Sequence, residues 1–258
     1  MISIIIINYN VWNHLKSCIK SIYNSDIKSE FEIIIIDNNS PEPIDFPDYN
    51  KENLKIIQFN KNLGFAKAVN HAISLSSGSE ILLLNPDTLV HKNTVQILSN
   101  YISKNKDVGV VGCKVVFSSG KYQLSSKRHF PTIGIILTKF FKFDKLFSKN
   151  KYFGKYNYTY LDHNELAYVD SVSGACMMFR SEVFKEIGLF DENFFLYFED
   201  TDFCYRALKK EYKVVYNPNC KIVHYKRESF KNSNLSVNLE FYKSMYNFYN
   251  KYIDDYKN

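Results

Sequence analysis

The chain has 258 residues, 45% of them apolar and 16% aromatic, enough to bury a substantial core in one large α/β domain or two small ones. Five scattered cysteines (Cys18, Cys113, Cys176, Cys204, Cys220), odd in number and without CxxC spacing, argue against a disulfide framework and a structural zinc site and point to a reduced, cytoplasmic setting. The net charge is only +6, and no stretch reaches the roughly 18 apolar residues of a membrane span, so a soluble protein, at most peripheral to a membrane, is expected.

The apolar run at the start has no basic flank before it and meets Asn8 directly after it, so it reads as a buried strand rather than a signal peptide. Trp12, Leu15, Ile19 and Ile22 recur at helical spacing, and Ile33 to Ile36 form a second buried strand. Leu54 to Phe59 is a third, after which Asn62 can cap a helix whose face carries Phe65, Val69 and Ile73 and which ends near Gly78. Ile81 to Leu84 is a fourth strand, followed by a helix over about 92–104 and a fifth strand, Val108 to Val111.

Ile and Leu runs without polar alternation imply strands covered on both faces, the mark of a parallel sheet in a layered α/β domain. Ligands of such sheets sit outside the carboxyl ends of the strands. Those ends carry Asn8-Tyr9-Asn10, Asp37-Asn38-Asn39-Ser40 and Asn85-Pro86-Asp87-Thr88. Turn formers are common at strand ends, but three polar sets at one sheet edge point to a binding site. No GxGxxG follows the first strand and no GxxxxGK[ST] occurs, which counts against a dinucleotide-binding domain and a P-loop.

Residues 139–155 carry six lysines, six aromatics and one aspartate. They read either as a solvated connector whose lysine stems cover its own aromatics, or as a surface for an anionic bilayer, a phosphate-bearing lipid or a nucleic acid strand. An apolar segment, Val169 to Phe179, contains Ser173-Gly174-Ala175, small enough for a ligand or a strand to approach closely.

Residues 190–206 then mix five acidic side chains with seven aromatic ones before a helix. Two readings stay open: a helix start whose acids satisfy the backbone dipole, or a wall of aromatics with Glu199, Asp200 and Asp202 tuned for general base chemistry. Within Asn85-Pro86-Asp87, proline stiffens a turn that is either ordinary or presents a carboxylate to a divalent cation held by diphosphate oxygens. His224, after a short strand, is a structural histidine or a further ligand. Leu239, Tyr242, Tyr246, Tyr249, Ile253 and Tyr256 alternate at three and four, which predicts an amphipathic helix docked through that face.

Taken in order, SIIIINYN, IIIIDNNS, NLGFAKAVNHAI, LLLNPDT and SGACMMFRSEVFKEIGLFDENFFLYFEDTDFCYR, spread over residues 3 to about 224, resemble a family 2 glycosyltransferase, specifically the bacterial rhamnosyltransferase-like branch. NPD stands where this family usually carries a DxD metal motif, with Asn85 replacing the first aspartate. The resemblance implies the GT-A fold, a mostly parallel sheet flanked by helices, with residues 1–112 as the nucleotide-sugar half, 113–225 as the acceptor half and 226–258 as a helical extension. It implies that Tyr9 and Asp37 hold the nucleobase with Asn39 nearby, that Gly64, Lys67 and Asn70 line the nucleotide and diphosphate region beside Asn85, and that Asp87 meets Mg²⁺ or Mn²⁺; His224 is, on its own chemistry, a further metal ligand or a hydrogen-bond donor to phosphate. Asp200 would be the base that deprotonates an acceptor hydroxyl, with Glu199 as its rival and Asp202 as the helix-start residue.

The implied reaction is inverting transfer from dTDP-rhamnose, or a UDP- or GDP-sugar, to a saccharide or lipid-linked saccharide. The implied setting is surface polysaccharide synthesis at the inner face of a bacterial membrane, with no nucleic acid partner. Two rivals stand beside it. A sugar-1-phosphate nucleotidyltransferase is expected to open on a glycine-rich basic loop, which NYNVWNHLKS lacks, and a non-catalytic binding module has no need of Asp87 and Asp200 together.

Overall fold

Strand β1 (Ile2–Asn8) is buried along its whole length, and its side chains divide with a period of two. Ile2, Ile4 and Ile6 join one apolar cluster, while Ile5 and Ile7 join a second. Strands β2 (Phe31–Asp37) and β4 (Glu80–Leu84) divide the same way, with Ile33, Ile35, Leu82 and Leu84 in the first cluster and Ile34, Ile36, Ile81 and Leu83 in the second. Helices α1 (Trp12–Tyr23) and α3 (Thr94–Lys104) cover the first side; α2 (Phe65–Ser74) and α7 (Glu199–Lys209) cover the second. With both faces covered, these strands have no polar alternation to show. The computed structural model describes residues 1–42, 52–225 and 234–256, without the side chains of 139, 140, 234–238 and 256.

Strands β3 (Leu54–Gln58), β2, β1 and β4 lie side by side and parallel, as the apolar runs predict. Beyond β4 the sheet is mixed. Strand β10 (Cys176–Arg180) runs antiparallel between β4 and β6 (Val108–Val116), β11 (Lys213–His224) runs parallel to β6, and β5 (Thr88–Val90) closes that edge antiparallel to β11. The antiparallel strands thus fall in the second half, beyond the apolar runs that predict the parallel part of the sheet. Burial on both faces removes alternation whatever the strand direction, so Cys-Met-Met-Phe reads the same either way. The expected single segment at Val169 to Phe179 contains β9 (Ser171–Val172), which pairs with β7 (Lys127–Arg128), before β10 begins.

Three local expectations are corrected. Helix α2 is capped by Gly64, not Asn62; Asn62 Oδ1 instead accepts hydrogen bonds from Gly64 N (3.0 Å) and Asn38 Nδ2 (3.0 Å). Helix α7 begins at Glu199, so Asp202 is a first-turn residue rather than the start. Its carboxylate is fully buried and accepts from Arg206 Nε (2.8 Å), Lys251 Nζ (2.6 Å) and Tyr252 OH (2.6 Å).

That hub turns α8 (Asn234–Tyr252) away from its expected face. Phe248, with Phe241, Met245 and Tyr252, packs against Phe130, Phe194, Phe198 and Tyr205, while Leu239, Tyr242 and Tyr246 remain 62–65% exposed. Both stripes have helical spacing, and the bonds of Asp202 to Lys251 and Tyr252 select the one that is buried. The side chain of Tyr256 lies outside the described residues.

Candidate active site

The carboxyl ends of β1 and β2 meet in register at Asn8 and Asp37. Asn8 Nδ2 donates to Asp37 Oδ1 (2.8 Å), while Ser40 reaches the same carboxylate through Oγ (2.5 Å) and N (3.1 Å). Half-buried Tyr9 and exposed Asn39, the latter in the left-handed region at φ 64°, flank this cluster. Next door, Asn38 ties the loop to the start of α2 by accepting from Leu63 N (2.9 Å) and donating to the Gly64 carbonyl (3.2 Å).

Gly64 has φ +86°, and a Cβ there would stand 2.7 Å from the Phe195 ring, so no other residue fits. Asn70 spends its amide on Phe190, donating to its carbonyl (2.9 Å) and accepting from its N–H (3.0 Å). Gly64 and Asn70 therefore seat residues 190–195 on α2. Lys67 lines an open cleft of about 510 Å³ with Phe59, Leu63, Asn70, His71 and Glu192; neither Asp87 nor Asp200 borders it.

At the end of β4, Asn85 N donates to the Ala175 carbonyl (3.0 Å), and Thr88 is paired with His224 in the β5–β11 ladder. This pairing brings His224 Nε2 to 3.2 Å from Asp87 Oδ1 and 3.5 Å from Asn85 Nδ2. Asp87 and His224 are both buried, and His224 Nδ1 has no hydrogen-bond partner among the described residues. Sequence separation hides this pair, and strand pairing makes it. One carboxylate and one imidazole suit a divalent cation that takes its remaining ligands from diphosphate oxygens. Among the described residues no group of three or more His, Cys, Asp or Glu could hold a metal without such help.

Tyr197 and Phe198, both at φ +68°, deliver the chain into α7 through two consecutive left-handed residues, a strained turn of the kind that gathers at functional sites. Asp200 then accepts four hydrogen bonds: from Arg128 Nη2 (2.5 Å) and Gly174 N (2.8 Å) on one oxygen, and from Thr201 N (2.7 Å) and Oγ1 (3.1 Å) on the other. Four donors and no acceptor is the arrangement of a carboxylate. Gly174 earns its place here, since a Cβ would come within 3.2 Å of Asp200. The small-residue segment thus admits an acid.

Glu199 is also buried, and its Oε2 has no hydrogen-bond partner among the described residues. Burial, and after it the Asp200 charge, pushes its carboxyl up to about 8. The aromatics are mostly core: Phe190 stacks on Phe203, and Phe194 and Phe198 pack with α8, leaving Phe195 exposed.

Sequence reasoning missed Arg128 as a site residue. It extends from β7, donates also to the Val172 carbonyl (3.1 Å), and sits beside the buried Tyr156. Burial is the largest single influence and opposes its charge, but Asp200, Tyr156 and Cys204 together outweigh it and raise the guanidinium pKa.

Residues 3–188 match the Glycosyl transferase family 2 domain. The chain belongs to that family. That membership counts against the nucleotidyltransferase reading. The chain is 26% identical over 230 residues to the low-salt glycan biosynthesis hexosyltransferase Agl10 of Haloferax volcanii, covering 86% of this chain and 65% of that one. It is 23% identical over 246 residues to an N-acetylglucosaminyl-diphospho-decaprenol L-rhamnosyltransferase of Mycobacterium tuberculosis, covering 89% of this chain and 77% of that one. The family 2 glycosyltransferase thus spans about two thirds of the haloarchaeal relative. Its fold is similar to that of GalNAc-T7, solved with UDP, GalNAc and Mn²⁺, at a TM-score of 0.62 and 16% identity over 87% of this chain and 43% of the other. The rhamnosyltransferase-like, GT-A character expected from sequence is borne out.

Proposed function

We propose that this family 2 glycosyltransferase transfers a hexosyl group, L-rhamnose first among candidates, from a nucleotide-diphosphate donor to a saccharide or lipid-linked saccharide acceptor with inversion. Residues 1–112 form the donor half, 113–225 the acceptor half and 226–258 a helical extension. The observation that carries this reading is the Gly174-Ala175 pair, in which Gly174 N donates to Asp200 and the Ala175 carbonyl accepts from Asn85 N, so that two adjacent residues join the acid to the Asn85-Pro86-Asp87 turn. This short link ties the acid pair to the turn that carries the donor-side carboxylate, and a single displacement needs both held in place.

Tyr9, Asp37 and Asn39 contact the nucleobase side, and Gly64, Lys67, Asn70 and Asn85 shape the donor region. Asp87 and His224 hold a divalent metal, which would supply positive charge to the leaving diphosphate. Asp200 takes the proton from the acceptor hydroxyl as that oxygen attacks the anomeric carbon and the nucleotide diphosphate departs. Glu199, pushed up to about 8, carries its own proton at neutral pH and is not free to accept another.

The test is Asp200→Asn, assayed for transfer and, by thermal shift, for stabilisation by dTDP-rhamnose and by UDP- and GDP-sugars with Mn²⁺. Transfer falls by about 10²- to 10⁴-fold while donor stabilisation persists. Full transfer in this variant would remove Asp200 from the role. The rhamnosyl preference fails if dTDP-rhamnose stabilises no better than the other donors.

A further inference from the structure

The sheet and the acid pair leave unused the segment over residues 133–155. It forms α4 (Ile133–Phe140), α5 (Phe143–Leu146) and a run of turns. We propose that this segment is a docking platform for an anionic bilayer surface. Its apolar side chains face outward: Leu146 is 71% exposed and Phe141 58%, with Ile133, Leu137 and Phe147 near half. The rings contact one another, Phe143 with Phe153 at 5.6 Å and Phe147 with Phe153 at 5.3 Å, and none joins the three core clusters. Single exposed apolar residues are ordinary, but a contiguous set marks an interaction surface.

Charge selects the occupant. Lys142, Lys145, Lys149, Lys151 and Lys155 are all exposed, and among the described residues none of them has an ion-pair partner. The side chains of Lys139 and Phe140, which belong to the same stretch, lie outside the described residues. Asp144 is the sole acid from 139 to 155, so most of the net charge of +6 sits on this segment. Lysine is depleted from protein–protein interfaces, whereas lysines beside inserted Phe and Leu are what an anionic bilayer surface binds. Among the described residues no helix is long and apolar enough to cross a membrane, so the contact is peripheral.

The platform is rooted at the acid pair. The chain enters it from Arg128, the partner of Asp200, and returns at Tyr156, whose carbonyl accepts from His129 N at 2.7 Å. A lipid-borne acceptor would therefore be met beside Asp200. Docking itself stands on the surface alone and is read without catalysis, so its failure and that of the proposed transfer are separable.

The experiment is flotation of the full chain with phosphatidylcholine vesicles, with and without phosphatidylglycerol. Binding is expected to the anionic vesicles only, weakening as salt rises. The exposed pair L146S/F147S and the set K142Q/K145Q/K149Q should each weaken it by about tenfold or more, with melting temperatures unchanged. No flotation with anionic vesicles, or undiminished flotation of both variants, overturns the proposal. So does self-association of the chain that L146S/F147S abolishes in the absence of vesicle binding.

Discussion

Arg128 Nη2 lies 2.5 Å from Asp200 Oδ2, and each side chain is at least 85% buried. The pair is a cross-brace between β7 and the first turn of α7, and the same Nη2 makes a second bond, to the Val172 carbonyl. Breaking a buried ion pair leaves an uncompensated charge, so Arg128→Ala should cost about 3–5 kcal/mol in denaturant unfolding. It should also lower kcat by about 10²-fold with little change in donor affinity, because Asp200 loses its orientation. Arg128→Lys keeps the charge, but its Nζ stands one bond nearer the backbone than Nη2 and would draw Asp200 off its position, so it should recover more stability than kcat. Equal recovery of both would show that only charge matters there.

Glu199 gives a stability signature with a definite sign. Its carboxyl, 4.5 ordinarily, is held at about 8 in the fold. The folded state therefore binds the proton more tightly, and stability falls as pH rises across that window, by at most about 1.4 kcal/mol per pH unit. Glu199→Gln removes the titration while keeping the shape. Its melting temperature relative to the parent should rise steadily from about pH 5 to about pH 8. A difference that stays flat over that range would mean that Glu199 is ionised in the fold.

Much of this architecture was legible in the chain because period and polarity report burial. The first four strands, α3 and the polar strand ends could be read from apolar runs and from what interrupts them. Contacts made by pairing across the sheet could not. Asp87 and His224 are distant in sequence and meet only because β5 pairs with β11. Arg128 had a signal of another kind. The chain has four arginines among 33 basic residues, at 128, 180, 206 and 227. Arg180 and Arg206 fork through two or more nitrogens onto a buried carboxylate or backbone carbonyls, where a lysine could not serve, and Arg128 reaches both Asp200 and the Val172 carbonyl through Nη2. In a lysine-rich chain the scarcity of arginine is itself a clue.

Gly174→Ala tests the link between the two halves of the site. The added Cβ would lie 3.2 Å from Asp200 Cβ and Oδ2, so the acid must shift by a few tenths of an ångström. A displacement of that size should lower kcat by about tenfold to 10²-fold while costing only about 1 kcal/mol in unfolding. Unchanged kcat would mean that the position of Asp200 is not limiting.

Asp87 and His224 should differ in their effect on metal-linked donor binding. With one carboxylate and one imidazole offered, Asp87→Ala removes the charged donor and should abolish the Mn²⁺-dependent part of nucleotide stabilisation in a thermal-shift titration. His224→Ala should shift the Mn²⁺ midpoint upward by about tenfold or more without abolishing it. A metal-independent nucleotide shift in the parent chain would remove both residues from metal binding.

The helix α8 offers the cleanest stability contrast, because its two stripes have similar spacing and opposite fates. Phe248 is fully buried and touches Phe130, Phe198, Tyr205 and Tyr252, with ring centroids 5.0–6.0 Å apart. Phe248→Ala removes a filled site whose neighbours are themselves rigid rings, so the cavity cannot collapse and the cost should be about 3–5 kcal/mol. Tyr246→Ala, at a residue 63% exposed on the outer stripe, should stay within about 0.5 kcal/mol. Because Phe198 lies under Phe248 and precedes Glu199, the inner variant should also lose activity before it unfolds, whereas the outer one should not. Comparable losses from the two variants in urea unfolding would mean that the outer stripe is packed too.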